Sequence, residues 1–317
     1  FTMFNSRLTG NLEYYDNNTF DLLFDVPLPT LTGFNLIRTN LGQINNKGFE
    51  AGLTYKIIDK KKFSWSASLN VWFNNNKVVK LTGIDANNDG KEDDVVATGT
   101  GGLFIGKPLN SIFDYQAGPI YGLTDTRLPG FQIGSLSVVD QNKDGVINAA
   151  DRTFLGALDP AFRSSLLNTF TYGQFSLSFF LNSIIGSNDR YIGNNIREYF
   201  RDDNGIRNND LRGVDYWSPA NPNGKYPRVI SGTQSTVRPP LYESRSFVRI
   251  QDISLSYSLS PNVLKKIKAQ NINVYVSGKN LATFTNWEGW DPETGQGMIT
   301  DGRPVLRAVT FGVQITY

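Results

Sequence analysis

The chain has 317 residues with 30 Gly, no Cys and no His, and it carries 21 Phe, 14 Tyr and 5 Trp. That aromatic load excludes an intrinsically disordered chain. The missing Cys and His exclude a disulfide scaffold, a Cys-His dyad, a Ser-His-Asp triad and a His/Cys zinc site. With 31 Lys plus Arg against 29 Asp plus Glu, the net charge is +2, and no basic segment tracks a phosphate backbone, so nucleic acid is not an expected partner.

The longest apolar runs, such as Phe179-Phe180-Leu181, fall far short of the roughly 20 residues a spanning helix needs. The chain starts at Phe1 without a charged and then apolar leader, so any export signal is removed or lies outside it.

Alternation with period two is the dominant pattern. Residues 2 to 16 follow it loosely. From Gly48 to Ile57, Phe49, Ala51, Leu53, Tyr55 and Ile57 share one face, and Glu50, Gly52, Thr54 and Lys56 the other. A charged turn, Asp59 to Lys62, leads into a second arm, where Phe63, Trp65, Ala67, Leu69, Val71 and Phe73 alternate with Ser64, Ser66, Ser68, Asn70, Trp72 and Asn74. The two arms read as a long hairpin. Weaker strand candidates lie near 103 to 118 and 130 to 140. Clearer ones follow at 162 to 172, 174 to 186, 245 to 259 and 271 to 284. In the last strand, at 308 to 317, Val309, Phe311, Val313, Ile315 and Tyr317 alternate with Ala308, Thr310, Gly312, Gln314 and Thr316. About ten strands result, several of them twice the usual globular length of about five or six.

A soluble sandwich would carry Lys and Glu on its polar faces. Here those faces are Ser, Thr, Asn, Gly and Gln. Such residues suit a lumen, and an apolar face with aromatic ends suits lipid. The expected fold is therefore all-β, a transmembrane antiparallel barrel, with the soluble sandwich as its rival. Connection lengths agree, because short turns at 58 to 62, at Gly173 and at 260 to 270 alternate with long loops near 17–41, 75–102, 141–161, 187–244 and 285–303. Counted back from Tyr317, the short turns fall on the periplasmic side. Pro261 to Ile267 reads as one or two turns of helix.

Five segments in register carry a family resemblance: Asn45-Asn46-Lys47-Gly48-Phe49-Glu50, Asp140-Gln141-Asn142-Lys143-Asp144-Gly145-Val146-Ile147, Tyr216-Trp217-Ser218-Pro219-Ala220-Asn221-Pro222, Ser246-Phe247-Val248-Arg249-Ile250 and Val274-Tyr275-Val276-Ser277-Gly278-Lys279-Asn280-Leu281. Together they resemble the C-terminal part of the SusC/RagA family of TonB-linked outer-membrane transporters. The resemblance implies a 22-strand barrel with a plug, of which ten strands are only a part. It also implies import of a nutrient such as glycans or peptides, without covalent chemistry. The partners it implies are the N-terminal barrel and plug portion, a SusD-like surface lipoprotein acting as lid, TonB acting through the missing portion, and outer-membrane lipids.

Two loops match the calcium-loop template of oxygen ligands at positions 1, 3 and 5, Gly at 6, a carbonyl at 7 and a closing carboxylate. The fuller match is Asp140, Asn142, Asp144, the carbonyl of Val146, and Asp151 in place of the usual Glu; the alternative is a metal-free turn. The weaker match has Asp85, Asn87, Asp89 and the Gly, but Val96 stands where the closing carboxylate would, so Asp93 or Asp94 would have to substitute; the alternative is a solvated acidic loop. Tyr191, Tyr199, Phe200, Tyr216, Trp217 and Tyr226 in the 187–244 loop, and Trp287 and Trp290 in the next, are candidates for substrate or lid contact, or else form the loops' own core. Phe311 and Tyr317 resemble the terminal signal by which outer-membrane barrels are recognised for assembly. Two rival functions stay open: a barrel that serves as a structural or assembly component, and a soluble calcium-stabilised carbohydrate-binding protein.

Overall fold

The computed structural model describes residues 1–27, 36–96, 101–187, 189–195, 201–202, 215–228, 230–231, 237, 239–297 and 303–317. Nine strands form one sheet in chain order, each antiparallel to its neighbours: β1 (Thr2–Met3), β2 (Leu8–Pro27), β3 (Leu36–Lys60), β4 (Phe63–Lys80), β5 (Phe162–Tyr172), β6 (Phe175–Ile185), β7 (Phe247–Ser258), β8 (Asn271–Thr285) and β9 (Ala308–Thr316). A helix of about two turns, α1 (Pro261–Ile267), fills the β7–β8 connection, as the Pro at its start predicts.

Register places whole rows of like residues on one face. At the short-turn end Phe63, Tyr172, Phe175, Tyr257, Val274 and Val313 stand side by side across six strands. At the loop end Tyr14, Phe49, Phe73 and Phe162 form a second such row. Ring pairs Phe73–Phe162 and Phe175–Tyr257 pack at 5.4 and 4.8 Å. Phe63 and Phe73 are ten residues apart, about 34 Å along the strand, and a barrel's tilt brings this to about 25 Å of membrane depth. Two aromatic belts separated by one hydrocarbon thickness leave the soluble sandwich without support. A soluble protein does not leave Phe311 79% and Val309 62% exposed in one apolar stripe.

The opposite face carries small polar rows. Ser66, Thr169, Ser178, Ser254, Ser277 and Thr310 form one. Along the next, Tyr275 lies across Gly312, where an added Cβ would come within 2.3 Å of the tyrosine ring. Only Gly admits a ring lying flat along the wall there.

Three expectations are corrected. The segments near 103–118 and 130–140 are not in the wall; they contribute to two small two-stranded sheets, Ser111–Tyr115 with Arg152–Ala157 and Ala117–Ile120 with Leu136–Val138, so one loop reaches from residue 81 to residue 161. Strand pairing also runs beyond the expected ends, from Asp16↔Lys47 to Pro27↔Leu36 and along β4 to Lys80. Alternation reports a strand only where one face is apolar, and above the belts both faces are wet. Finally, period two breaks within β7, where the partners skip Gln251: Phe180 pairs Asp252 and Leu181 pairs Ile250. This bulge turns Phe247 and Arg249 to the inner face, whereas unbroken alternation from Ile253 would aim both at lipid.

Candidate binding surface on the inner wall and its loops

The bulge sets the geometry of the inner wall near the loops. Arg249, only 4% exposed, is fixed by Thr283 Oγ1 at 3.0 Å and forms ion pairs with Asp291 and Glu293, each at 2.7 Å. Both acids belong to the small hairpin Gly289–Asp291/Gln296–Gly297 of the last loop. Arg245 donates to the Pro292 and Glu293 carbonyls, and the Tyr191 hydroxyl donates to Pro292 as well. The hairpin is thereby latched to the wall. Burial alone would raise the Asp291 carboxyl, but the Arg249 hydrogen bond and the N–H groups of Glu293 and Thr294 outweigh it and hold the group below the usual aspartate range. A charged residue at lipid-facing parity is the sequence signal that exposes such a bulge, and Arg249 was that signal.

The loops form a folded cap. Tyr121, Phe131 and Val138 make one buried cluster, against which Leu128, Ile147 and Val237 pack. Ile184, Tyr191 and Phe247 make another, joining cap to wall. Lys225 ties two loops by ion pairs to Glu288 at 2.6 Å and Glu243 at 2.9 Å. Burial disfavours the Lys225 charge, yet those carboxylates hold the ammonium above its ordinary range.

Of the candidate contact rings, four are buried, as the loops' own core requires: Trp217 is 1%, Tyr226 2%, Tyr191 3% and Trp287 4% exposed. A loop this long stays ordered only by burying such rings. Tyr216 and Trp290 remain at the surface. Tyr199 and Phe200 lie outside the described residues.

The two candidate calcium loops share one backbone design. Asp140 accepts from the N–H of Lys143 and Gly145, Asn142 from Asp144, and Asp144 from Val146. In the weaker loop Asp85 accepts from Asp89 and Gly90, Asn87 from Asp89, and Asp89 from Lys91. Gly90 and Gly145 both take φ +82. Asp151 and Asp93 play equivalent parts, each accepting from the residue after the first Asp. Asp151 is 0% exposed and among the described residues accepts only from the N–H groups of Gln141 and Asn148. Donor type fits a hard cation. Among the described residues, however, no three acidic side chains converge closely enough to hold a metal.

On the inner face, a concavity of about 480 Å³ opens beside Glu293, floored by Asn70, Trp72, Arg163 and Asn182. Arg163 stacks on Trp72, with its Cζ 4.5 Å from the ring centroid.

A next-neighbour antiparallel sheet with a belted apolar face, a polar inner face, short turns at one end and a folded loop cap at the other is part of the wall of a transmembrane β-barrel. No protein-family model matches the chain. Among curated proteins, the chain is similar to TonB-dependent receptors. It is 29% identical over 338 residues to TonB-dependent receptor P3 of Formosa agariphila, covering 99% of this chain and 33% of that receptor. It is 26% identical over 319 residues to TonB-dependent receptor SusC of Bacteroides thetaiotaomicron, covering 98% and 30%. Among solved structures, the RagAB peptide transporter matches with TM-score 0.73 at 23% identity, over 100% of this chain and 34% of that one. The RagAB peptide importer in its open-open state matches with TM-score 0.74 at 22% identity, over 100% and 33%. The chain spans about a third of the length of the relatives it matches. Those relatives are receptors and transporters, not enzymes.

Proposed function

We propose that this chain is part of the barrel wall and outer loops of a TonB-dependent importer in the bacterial outer membrane. Its cargo is a nutrient such as a glycan or peptide, and a SusD-like lipoprotein covers the loop side. The observation that carries the reading is likeness to TonB-dependent receptors, SusC included, along nearly the whole chain. The open sheet edges support it. Among the described residues β9 pairs only with β8, and β2 beyond its first residues only with β3, leaving two long ladders to be continued by further strands. In this reading the rest of the barrel and the plug attach at those edges and within the lumen, TonB acts through the plug, and lipid meets the belted face. Calcium in the 140–151 loop, with a weaker site at 85–93, is part of the same proposal. It is supported by donor type and by the wholly buried Asp151, which has no cationic partner among the described residues. Uptake of labelled oligosaccharides and peptides by cells carrying the full-length protein tests the import reading. Uptake is expected to stop when TonB is removed; no uptake of either class with TonB present would leave a structural barrel instead.

A further inference from the structure

We propose that the inner-wall concavity recognises a short zwitterionic peptide, Arg163 taking its carboxylate and the Glu13–Glu50 pair its ammonium. This site rests on the import reading and narrows the cargo. Opposite charges sit on one row of the wall and are held apart: Glu13 and Glu50 face each other across β2 and β3, Trp72 follows on β4 and Arg163 on β5. Neighbouring strands lie about 4.8 Å apart, so the Glu50 and Arg163 backbones stand about 10 Å apart, within the span of a short peptide once both side chains reach inward. Among the described residues neither the Glu50 nor the Arg163 side chain forms a hydrogen bond or ion pair. Arg163 has the Trp72 ring alone, and its Nε–H is buried without an acceptor.

Neither arrangement is favourable by itself. Two carboxylates directly opposite on an antiparallel pair repel, and a cation between them relieves the repulsion. A guanidinium held over a ring spends none of its N–H donors there, and they remain for a carboxylate. One row nearer the short turns, Asn70 and Asn182 offer amides that both donate and accept, as the peptide units between two charged ends require. A neutral glycan answers neither charge and would leave both ions desolvated without a partner. Glu293 at the rim pairs with Arg249, which Asp291 shares, so Arg163 is the cation of this row left without a carboxylate. Arg163 is the second residue of β5, at the loop end of the wall, where cargo first meets the barrel in the import reading. A part of the full-length protein outside this chain is the competing occupant.

Calorimetry on the full-length protein in detergent, with Ala-Ala-Ala, its C-terminal amide and maltotriose as probes, tests the site. The tripeptide is expected to lose about tenfold or more in affinity on amidation and on Arg163→Gln, as for one charge-assisted hydrogen bond. In Arg163→Gln the free and amidated peptides should bind alike, because the group that tells them apart is gone. Glu50→Gln should weaken both forms equally. The site is refuted if wild type does not bind the tripeptide or prefers maltotriose, or if Arg163→Gln still separates acid from amide. It is refuted as well if Arg163→Gln lowers thermal stability and leaves peptide affinity untouched, the result expected when another part of the protein packs there. Peptide uptake in the same strains keeps the two readings apart. TonB-independent uptake with Arg163-dependent binding overturns the import reading alone, and TonB-dependent uptake indifferent to Arg163→Gln overturns this site alone.

Discussion

In the wall, large apolar side chains turn outward and stay exposed, Phe311 at 79%, while in the cap they turn inward, Trp217 at 1%. The two regions obey one rule in two solvents. A wall residue that faces hydrocarbon loses nothing by leaving its ring uncovered by protein, so register alone decides its environment. A cap residue is surrounded by water and must find other apolar groups, so its environment depends on contacts between segments far apart in sequence, such as Val237 against the cluster of Tyr121, Phe131 and Val138. An aromatic residue in such a chain therefore reports on lipid or on a folded loop, and only secondarily on a ligand.

This contrast is tested most severely at the last strand. Removing Phe311 to Tyr317 takes away most of β9 and strips β8 of its partners from Asn271 to Val276. Assembly should be abolished, and a normal heat-modifiable barrel in the outer membrane of the truncated protein would refute the role given to Phe311 and Tyr317. Next in size, Trp217→Ala should cost about 3–5 kcal/mol, confined to the cap, because it empties a core site. Tyr216→Ala beside it should cost less than about 1 kcal/mol. Limited proteolysis of the loops measures both, and equal effects would mean that the cap has no core of its own.

Within the wall the sharpest contrast lies between neighbours. Ile253 stands midway between the belts, so Ile253→Arg should cost about 2–4 kcal/mol, whereas Ser254→Arg faces the lumen and should be tolerated. Val313 sits in the belt row, and Arg there should cost less than at Ile253. Barrel yield and urea unfolding read the difference; similar losses at Ile253 and Ser254 would break the two-faced wall. Smaller still, calcium at ten times its dissociation constant should stabilise the cap by about 1.4 kcal/mol, lost on chelation. Identical hydrogen exchange at residues 140–151 with calcium and with chelator would reduce the loop to a turn.

The latch gives the mildest effect. The Asp291 carboxyl is lowered in the folded state, so its contribution is fully present above the unfolded value of about 3.9 and fades only as pH falls through the lower folded value. Exchange protection of the 289–297 hairpin should thus be unchanged from neutral pH down to about 5, well above that range. Opening of the hairpin between pH 7 and 5 would show that Arg249 and Asp291 do not hold it.

Period two in residues 48–57, 63–73 and 308–317 determined the strands, their faces and the two belts, because a lipid-facing strand writes its environment into every second residue. The glycine and acid spacing of 140–151 and 85–93 likewise determined two tight loops with one hydrogen-bond pattern. Tertiary structure alone decided the rest. The extra residue at Gln251 reversed Phe247 and Arg249, and a single inserted residue inverts every side chain beyond it without changing composition. Which rings the cap would bury, and that Glu50, Trp72 and Arg163 would share one row, depended on pairing across strands as far apart as β2 and β5. Such neighbours are set by register and packing between distant segments, which no local period in the chain records.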